Sequence, residues 1–150
     1  MEAVKLLKNR DDLTLVTNSA EMIKELYISD LNVISTGGTL NKKSLSFEGT
    51  LSENAIQRYN ADVALISCKS LDMTVGVTDT NEAQARLKRM MIDQSGQVIL
   101  LVNSAKFDSR AFVHLANFDK INQVITESRP PDGWPEFFAK HEIGLTYPQN

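Results

Sequence analysis

Short, nearly continuous apolar runs alternate with amphipathic segments along most of this 150-residue chain. The apolar runs predict buried strands at residues 13–17, 32–37, 61–68, 97–102 and 121–127, with a last short strand at 145–147. Between the strands, apolar residues recur at helical spacing, as Ala83, Leu87, Met90 and Met91 do in the longest such segment. Helices are therefore predicted at 4–8, from 18 or 19 to 26, at 50–59, from the Asp79–Glu82 capping box to about 93, and at 135–144.

This alternation predicts an α/β fold: a three-layer, Rossmann-like domain with a mainly parallel sheet flanked by helices. The most apolar runs, 13–17, 32–36, 62–67 and 97–102, are expected to be its central strands. A structure with 62–67 or 97–102 at a sheet edge would contradict that expectation. The length favours a single domain covering residues 1–150, and the chain opens on a helix with no strand before it.

The composition and charge of the chain disfavour several classes of protein. The formal net charge is −3 and the pI about 5.4, which disfavours nucleic-acid binding by this chain alone, because phosphate contacts need clustered Lys and Arg. No apolar run approaches the roughly 18 residues of a membrane span. The single cysteine, Cys68, excludes an internal disulfide and fits a reducing cytoplasm. The two histidines are far apart and predict no metal site, and no cofactor is expected.

Small, polar or basic residues follow each central strand, at the edge where open parallel sheets bind ligands. These residues are Thr17, Asn18 and Ser19, then Gly37 and Gly38, then Ser67, Lys69 and Asp72, and finally Lys106. Backbone amides and lysine suit a phosphate, and Asn, Ser and Asp suit hydroxyls, so the pattern predicts a site for a hydroxylated anionic small molecule. Each residue alone also has an ordinary explanation as a cap, a turn or a solvated side chain, and Lys88 and Arg89 are read as solvated.

Four segments carry a resemblance to a known family. LTLVTNSAEMIKEL, VISTGGTLNKKSLSFEGTLSENAI, GVTDTNEAQARLKRMM and VILLVNSAKF, in that order, resemble the effector-binding domain of DeoR-family bacterial transcriptional regulators. The resemblance implies a fold related to ribose-5-phosphate isomerase and a sensor of phosphorylated sugars or related metabolites. It also implies operator binding through a helix-turn-helix that precedes this domain, and a phosphate loop just before Met1.

The resemblance matches functional residues of the family to individual positions of this sequence. The family's Thr-Asn-Ser stretch falls on Thr17–Ser19, its glycine pair on Gly37 and Gly38, and its loop before a helix on 43–49. That loop is expected to border the ligand or a subunit contact, with the glycines letting backbone approach the ligand. The family's Glu-Ala pair falls on Glu82 and Ala83, and its lysine on Lys106. This chain departs from the family at Lys69 and Asn103, where aspartates are usual, which makes the expected site more positive.

Three functional hypotheses remain open at this stage. The first is a non-enzymatic sensor domain of a sugar-responsive regulator, lacking its first strand, its phosphate loop and the helix-turn-helix, and forming a homo-oligomer. The second is a sugar-phosphate isomerase, whose chemistry needs a carboxylate base such as Glu82 or Asp72. The third is a scaffold whose pocket is vestigial.

Overall fold

The computed structural model describes residues 2–149, with side chains from Val4 onward, as two compact units, 2–59 and 60–149. The helices are α1 (Glu2–Lys5), α2 (Ala20–Leu26), α3 (Thr50–Ile56), α4 (Glu82–Asp93) and α5 (Trp134–Lys140). The strands are β1 (Thr14–Thr17), β2 (Asn32–Ser35), β3 (Thr39–Asn41), β4 (Ser46–Glu48), β5 (Ala61–Ile66), β6 (Ser70–Asp72), β7 (Gly76–Asp79), β8 (Ser95–Leu101), β9 (Val113–Ala116), β10 (Gln123–Ile125) and β11 (Gly144–Thr146). Two 3-10 turns lie at Ser104–Lys106 and Phe118–Lys120.

The first unit is built on a parallel pair of strands. β1 and β2 run side by side with Thr17 opposite Ser35, and their apolar side chains pack with a small core of Val4, Leu26 and Leu31. The resemblance places a loop at 43–49 and no strand is predicted between 38 and 49, but residues 39–48 are not a loop. They form an antiparallel hairpin of β3 and β4, with Leu40 opposite Phe47. The hairpin was missed because its strands are three residues long and mostly polar.

The second unit contains a four-stranded parallel sheet in the order β11–β10–β8–β5. The prediction that residues 97–102 form an interior strand is confirmed, because β8 pairs with both β5 and β10. The prediction that 62–67 is interior is wrong, because β5 lies at the edge of this sheet. β5 was mistaken for an interior strand because it is apolar on both faces, yet Val63 and Leu65 remain 43% and 44% exposed.

A three-stranded antiparallel sheet, β6–β7–β9, completes the second unit. β7 is its fully buried middle strand. Helix α4, which follows β7 and precedes β8 in the chain, contacts β7. This sheet was not predicted, since β6 is three residues long and residues 70–79 contain charged and turn-forming side chains. It places Asp72 and Asp79 on a rigid antiparallel support rather than on loops.

The core of the second unit is aromatic at one end. Trp134 and Phe138 of α5 are completely buried, and Phe107 and Phe118 meet the Trp134 ring edge-on at centroid distances of 5.0 and 5.8 Å. Such geometry adds to the apolar burial of each ring. The chain is thus a mixed α/β protein with a parallel sheet flanked by helices, compatible with a Rossmann-like three-layer fold.

Candidate functional site

The polar residues after β1 form a helix cap. Ser19 is the N-cap of α2, and its hydroxyl accepts a hydrogen bond from the Met22 amide at 3.2 Å. The buried Thr17 hydroxyl accepts from the Ser19 amide at 3.1 Å. Because β1 and β2 are parallel, the amide of Thr36 reaches the Thr17 carbonyl at 3.0 Å. The predicted residues after these two strands therefore lie together at one end of the pair.

Asn18 attaches the hairpin to this strand end. Its side-chain amide donates to the Phe47 carbonyl at 3.0 Å, and its backbone carbonyl accepts from the Phe47 amide at 2.7 Å. The Ala20 amide also donates to the Leu45 carbonyl at 2.8 Å. The segment 43–49 thus lies against the end of β1 as part of an ordered hairpin, and its role beside a ligand or a subunit contact stays a prediction.

Gly37 and Gly38 adopt left-handed backbone conformations, with φ of 62° and 114°. A side chain on Gly37 would meet nothing within 4 Å. A Cβ on Gly38 would lie 2.7 Å from the Glu48 carbonyl oxygen and would also strike the Ser52 hydroxyl, which donates to the Gly37 carbonyl. Gly38 is therefore required for close packing between β4, α3 and the turn after β2.

A buried ion pair fixes the end of β5. The Lys88 ammonium group of α4 donates to the Ser67 carbonyl at 2.9 Å and to the Asp79 carboxylate at 2.7 Å. Both side chains are mostly buried, at 21% and 11% exposed. The reading of Lys88 as a solvated lysine is therefore wrong. Lys69 is exposed one position beyond Cys68, and its backbone amide binds the Thr78 carbonyl at 3.0 Å.

Cys68 is buried near Lys88, Asp79 and Lys106. Burial raises the pKa of its thiol to about 12, although the nearby cations Lys88 and Lys106 oppose the shift. The thiol is therefore protonated at neutral pH and unsuited to nucleophilic attack. Lys106 itself is half-buried and follows β8, the strand that pairs with β5. Ser67 and Lys106 thus follow the carboxyl ends of adjacent parallel strands.

Asp72 forms a turn and an ion pair. One carboxylate oxygen accepts from the Thr74 hydroxyl at 2.6 Å and from the Thr74 and Val75 amides at 2.8 and 2.9 Å. The other accepts from the Arg110 guanidinium at 2.7 Å. The Thr74 hydroxyl first, and then Arg110, hold the pKa of Asp72 well below its usual range. Asp72 is an ionised acceptor whose oxygens already stabilise the β6–β7 connection.

Glu82 is the first residue of α4 and is exposed. Its carboxylate pairs with Arg89 at 2.7 Å, and Arg89 also donates to the His114 carbonyl at 2.6 Å. The Asp79–Glu82 capping box is wrong, because Asp79 belongs to β7 and Asn81 caps the helix by accepting from the Gln84 amide at 3.0 Å. Arg89, like Lys88, is bound to the protein and not simply solvated.

Glu127 was missed by sequence reasoning. After β10, its carboxylate accepts from the Ser104 amide at 2.8 and 3.0 Å and from the Ser104 hydroxyl at 2.7 Å. The backbone amide of Ser104, and next its hydroxyl, lower the pKa of Glu127 to about 2. A carboxylate therefore already occupies the anion-binding donors after β8. The only signal in the sequence is a glutamate at the end of the predicted strand 121–127.

Two shallow depressions in residues 60–149 have no predicted residue in their lining. One is lined by Arg89, which pairs with Glu82, and the other by Thr74, which binds Asp72. Within the described residues, no three His, Cys, Asp or Glu side chains come close enough to hold a metal ion. Nor does any helix of that part of the chain have the length and apolar character to cross a membrane. The ten predicted ligand-binding residues are divided between the two units. Residues 2–59 contain Thr17, Asn18, Ser19, Gly37 and Gly38, and residues 60–149 contain Ser67, Lys69, Asp72, Glu82 and Lys106.

A family model described as "DeoR C terminal sensor domain" matches residues 1–128. The chain belongs to the DeoR family. An HTH-type transcriptional regulator of Bacillus subtilis is 42% identical over 118 residues, which are 78% of this chain and 46% of that protein. The L-fucose operon activator of Haemophilus influenzae is 34% identical over 131 residues, 87% of this chain and 53% of the relative. The Escherichia coli glycerol-3-phosphate regulon repressor is 25% identical over 140 residues, 93% and 56% of the two chains.

These DeoR-family relatives confirm the family named from the four sequence segments. The chain spans about half the length of the relatives it matches. It is thus the sensor domain of a regulator family, and the relatives' names refer to transcriptional control and not to isomerisation. The relation to ribose-5-phosphate isomerase stays a prediction.

Proposed function

We propose that this DeoR-family sensor domain binds a phosphorylated sugar or a related metabolite and thereby controls operator binding by a separate helix-turn-helix domain. The observation that supports the proposal is that polar and basic groups follow the carboxyl ends of parallel strands, as Asn18 follows β1 and as Ser67 and Lys106 follow β5 and β8. Asp72 and Glu82 lie instead on β6 and α4. The ligand-binding residues proposed are Thr17, Asn18, Ser19, Gly37, Gly38, Ser67, Lys69, Asp72, Glu82 and Lys106. The name of the glycerol-3-phosphate repressor, a protein 25% identical, supports a phosphorylated effector.

The contacts of the two carboxylates support a sensor rather than an enzyme. Aldose–ketose isomerisation needs a carboxylate that is available as a base. Asp72 is held by Thr74 and Arg110, and Glu82 is paired with Arg89. Neither group is positioned to exchange a proton with a substrate while these bonds last. The sensor acts in the cytoplasm, where sugar phosphates and operators occur together, and as a homo-oligomer, because palindromic operators call for two-fold symmetry.

Calorimetric titration with hexose and pentose phosphates tests the proposal, using the chain extended by the residues encoded upstream of Met1. Lys106→Ala should weaken the best ligand roughly ten- to a hundred-fold, since a charge-assisted bond contributes about 1.5–3 kcal/mol. The unphosphorylated sugar should bind the parent and the variant equally. Lys120→Ala is the matched control, because Lys120 also ends a 3-10 turn and is exposed.

Equal phosphate binding by Lys106→Ala and the parent would remove Lys106 from the site. Isomerisation of a pentose phosphate that disappears in Glu82→Gln would overturn the assignment as a sensor without catalysis.

A further inference from the structure

Asp108 follows the 3-10 turn that ends at Lys106, and its backbone has a left-handed conformation, with φ of 53°. Residues other than glycine rarely adopt this conformation, although Asp tolerates it better than most. The Asp108 carboxylate accepts a hydrogen bond from the indole N–H of Trp134 at 2.9 Å. The unusual backbone conformation is therefore accompanied by a specific contact with another element of the fold.

Trp134 is a well-fixed partner for this carboxylate. It is the first residue of α5, is completely buried and is the only tryptophan of the chain. The ring centroids of Phe107, Phe137 and Phe138 lie 5.0, 5.5 and 5.2 Å from that of Trp134, so close packing sets the direction of its indole N–H. Because a buried donor without an acceptor is destabilising, the bond stabilises both the indole and the backbone at Asp108.

The residues on either side of Asp108 are also bound to the protein. The Ser109 amide donates to the Leu71 carbonyl at 3.1 Å, and the Ser109 hydroxyl donates to the Lys106 carbonyl at 3.3 Å. The Lys106 amide donates to the Asn103 carbonyl at 3.0 Å. The backbone that carries the Lys106 side chain is thus attached to β6 through Ser109 and to α5 through Asp108.

We propose that Asp108 is a positioning residue, whose hydrogen bond to Trp134 holds the turn that places Lys106 after the carboxyl end of β8. Lysine has a long, flexible side chain, so its ammonium group meets a phosphate in one place only if its backbone is fixed. Helix α5, which supplies the indole, lies beyond residue 128, where the match to the family model ends. This inference rests on the proposed function for the role of Lys106 in phosphate binding.

Two variants at position 108 separate the hydrogen bond from the charge. Asp108→Asn keeps a side-chain oxygen that accepts from the indole, and Asn also tolerates the left-handed conformation. Asp108→Gly keeps the backbone conformation and loses the acceptor. Both variants remove the same negative charge. A difference between them therefore reports the bond to Trp134 and not the electrostatic effect of a carboxylate near a phosphate.

Hydrogen exchange tests the positioning without a ligand, in the chain extended by its upstream-encoded residues. The Lys106 amide should exchange about tenfold faster in Asp108→Gly than in the parent or in Asp108→Asn. The Thr36 amide, which binds the Thr17 carbonyl in the other unit, is the control for general loss of stability. Its exchange rate should be equal in all three proteins.

Calorimetric titration with the panel of hexose and pentose phosphates tests the consequence for binding. Asp108→Gly should bind the best of these phosphates about tenfold more weakly than Asp108→Asn does. The unphosphorylated sugar should bind both variants equally, a selectivity that a loss of stability alone would not produce. When each variant is combined with Lys106→Ala, the difference between them should disappear.

Equal phosphate affinities of the two variants, or equal exchange of their Lys106 amides, would overturn the proposal. If no phosphorylated sugar binds the parent, the proposed function fails. The exchange rates of the Lys106 amide then still decide whether Asp108 holds the turn.

Discussion

At the scale of single residues, sequence reasoning selected the right chemical types but could not see their partners. The sequence assigns Asp72 to ligand hydroxyls, yet its carboxylate also binds Arg110, 38 residues away. Lys88 was dismissed, yet it binds the Ser67 carbonyl 21 residues earlier. The spacing of residues in a sequence reveals contacts between side chains three or four positions apart. Ion pairs between distant elements have no such spacing, so they cannot be recognised from the sequence pattern.

The two glycines after β2 provide a matched pair for a stability prediction. Gly38→Ala should destabilise the protein by roughly 3–4 kcal/mol, because it combines an unfavourable φ with collision against the Glu48 carbonyl and Ser52. Gly37→Ala should destabilise the protein by only about 1–2 kcal/mol, the strain of a left-handed backbone conformation. No atom lies within 4 Å of the added Cβ, so there is no collision. Urea unfolding followed by circular dichroism measures both.

The critical result is which of the two variants lowers the free energy of unfolding more. If Gly37→Ala proved more destabilising than Gly38→Ala, close packing against β4 and α3 would not be the reason for glycine at position 38.

At the scale of elements, long amphipathic or apolar segments were predicted well. The interior strand β8 and the helix α4 both lie where periodicity placed them, because seven to twelve residues give a clear signal. The hairpin β3–β4 and the sheet β6–β7–β9 were missed. Their strands have three or four residues each, and pairing with distant segments stabilises them more than local propensity does.

The contact between β10 and the turn after β8 predicts a pH dependence. The pKa of Glu127 is about 2 in the folded protein, against 4.5 for an unperturbed glutamate, because Ser104 donates two hydrogen bonds to it. The unfolded chain binds the proton more readily, so folding stability from this group is complete above about pH 4.5. It is lost as the pH falls towards 2.

Glu127→Gln should therefore flatten the loss of stability between pH 5 and pH 2.5, measured by thermal melts in buffers of equal ionic strength. Glu136→Gln, which removes an exposed carboxylate of the same unit, is the control for the change of charge. A Glu127→Gln profile parallel to that of the parent would show that the Ser104 contact does not perturb the carboxyl group in solution.

At the scale of the whole molecule, the α/β class was predictable but the strand positions were not. Alternating strands and helices indicate a parallel sheet whatever the order of its strands. An apolar strand such as β5 looks the same at an edge as in the interior, because strand order depends on long-range pairing. The family was identifiable because four separate segments matched in sequence, and the comparison over residues 1–128 confirms it.

The charge of the whole chain leads to a prediction about DNA. With a formal net charge of −3, residues 1–150 alone should give no salt-sensitive shift of operator DNA at low micromolar concentration. The extended chain should bind the same DNA, with affinity that falls as salt rises. A gel-shift titration at two salt concentrations makes the comparison. Salt-dependent binding by residues 1–150 would contradict the assignment of DNA contacts to a separate domain.

The bond between Asn18 and the hairpin has a consequence for how this sequence can diverge. Asn18 binds only backbone atoms of Phe47, donating to its carbonyl and accepting from its amide. The hairpin can therefore exchange its side chains freely at position 47 without losing that attachment, whereas position 18 cannot change so easily. An aspartate there would place a negative oxygen against the Phe47 carbonyl. Mutational drift should accordingly be faster at position 47 than at position 18.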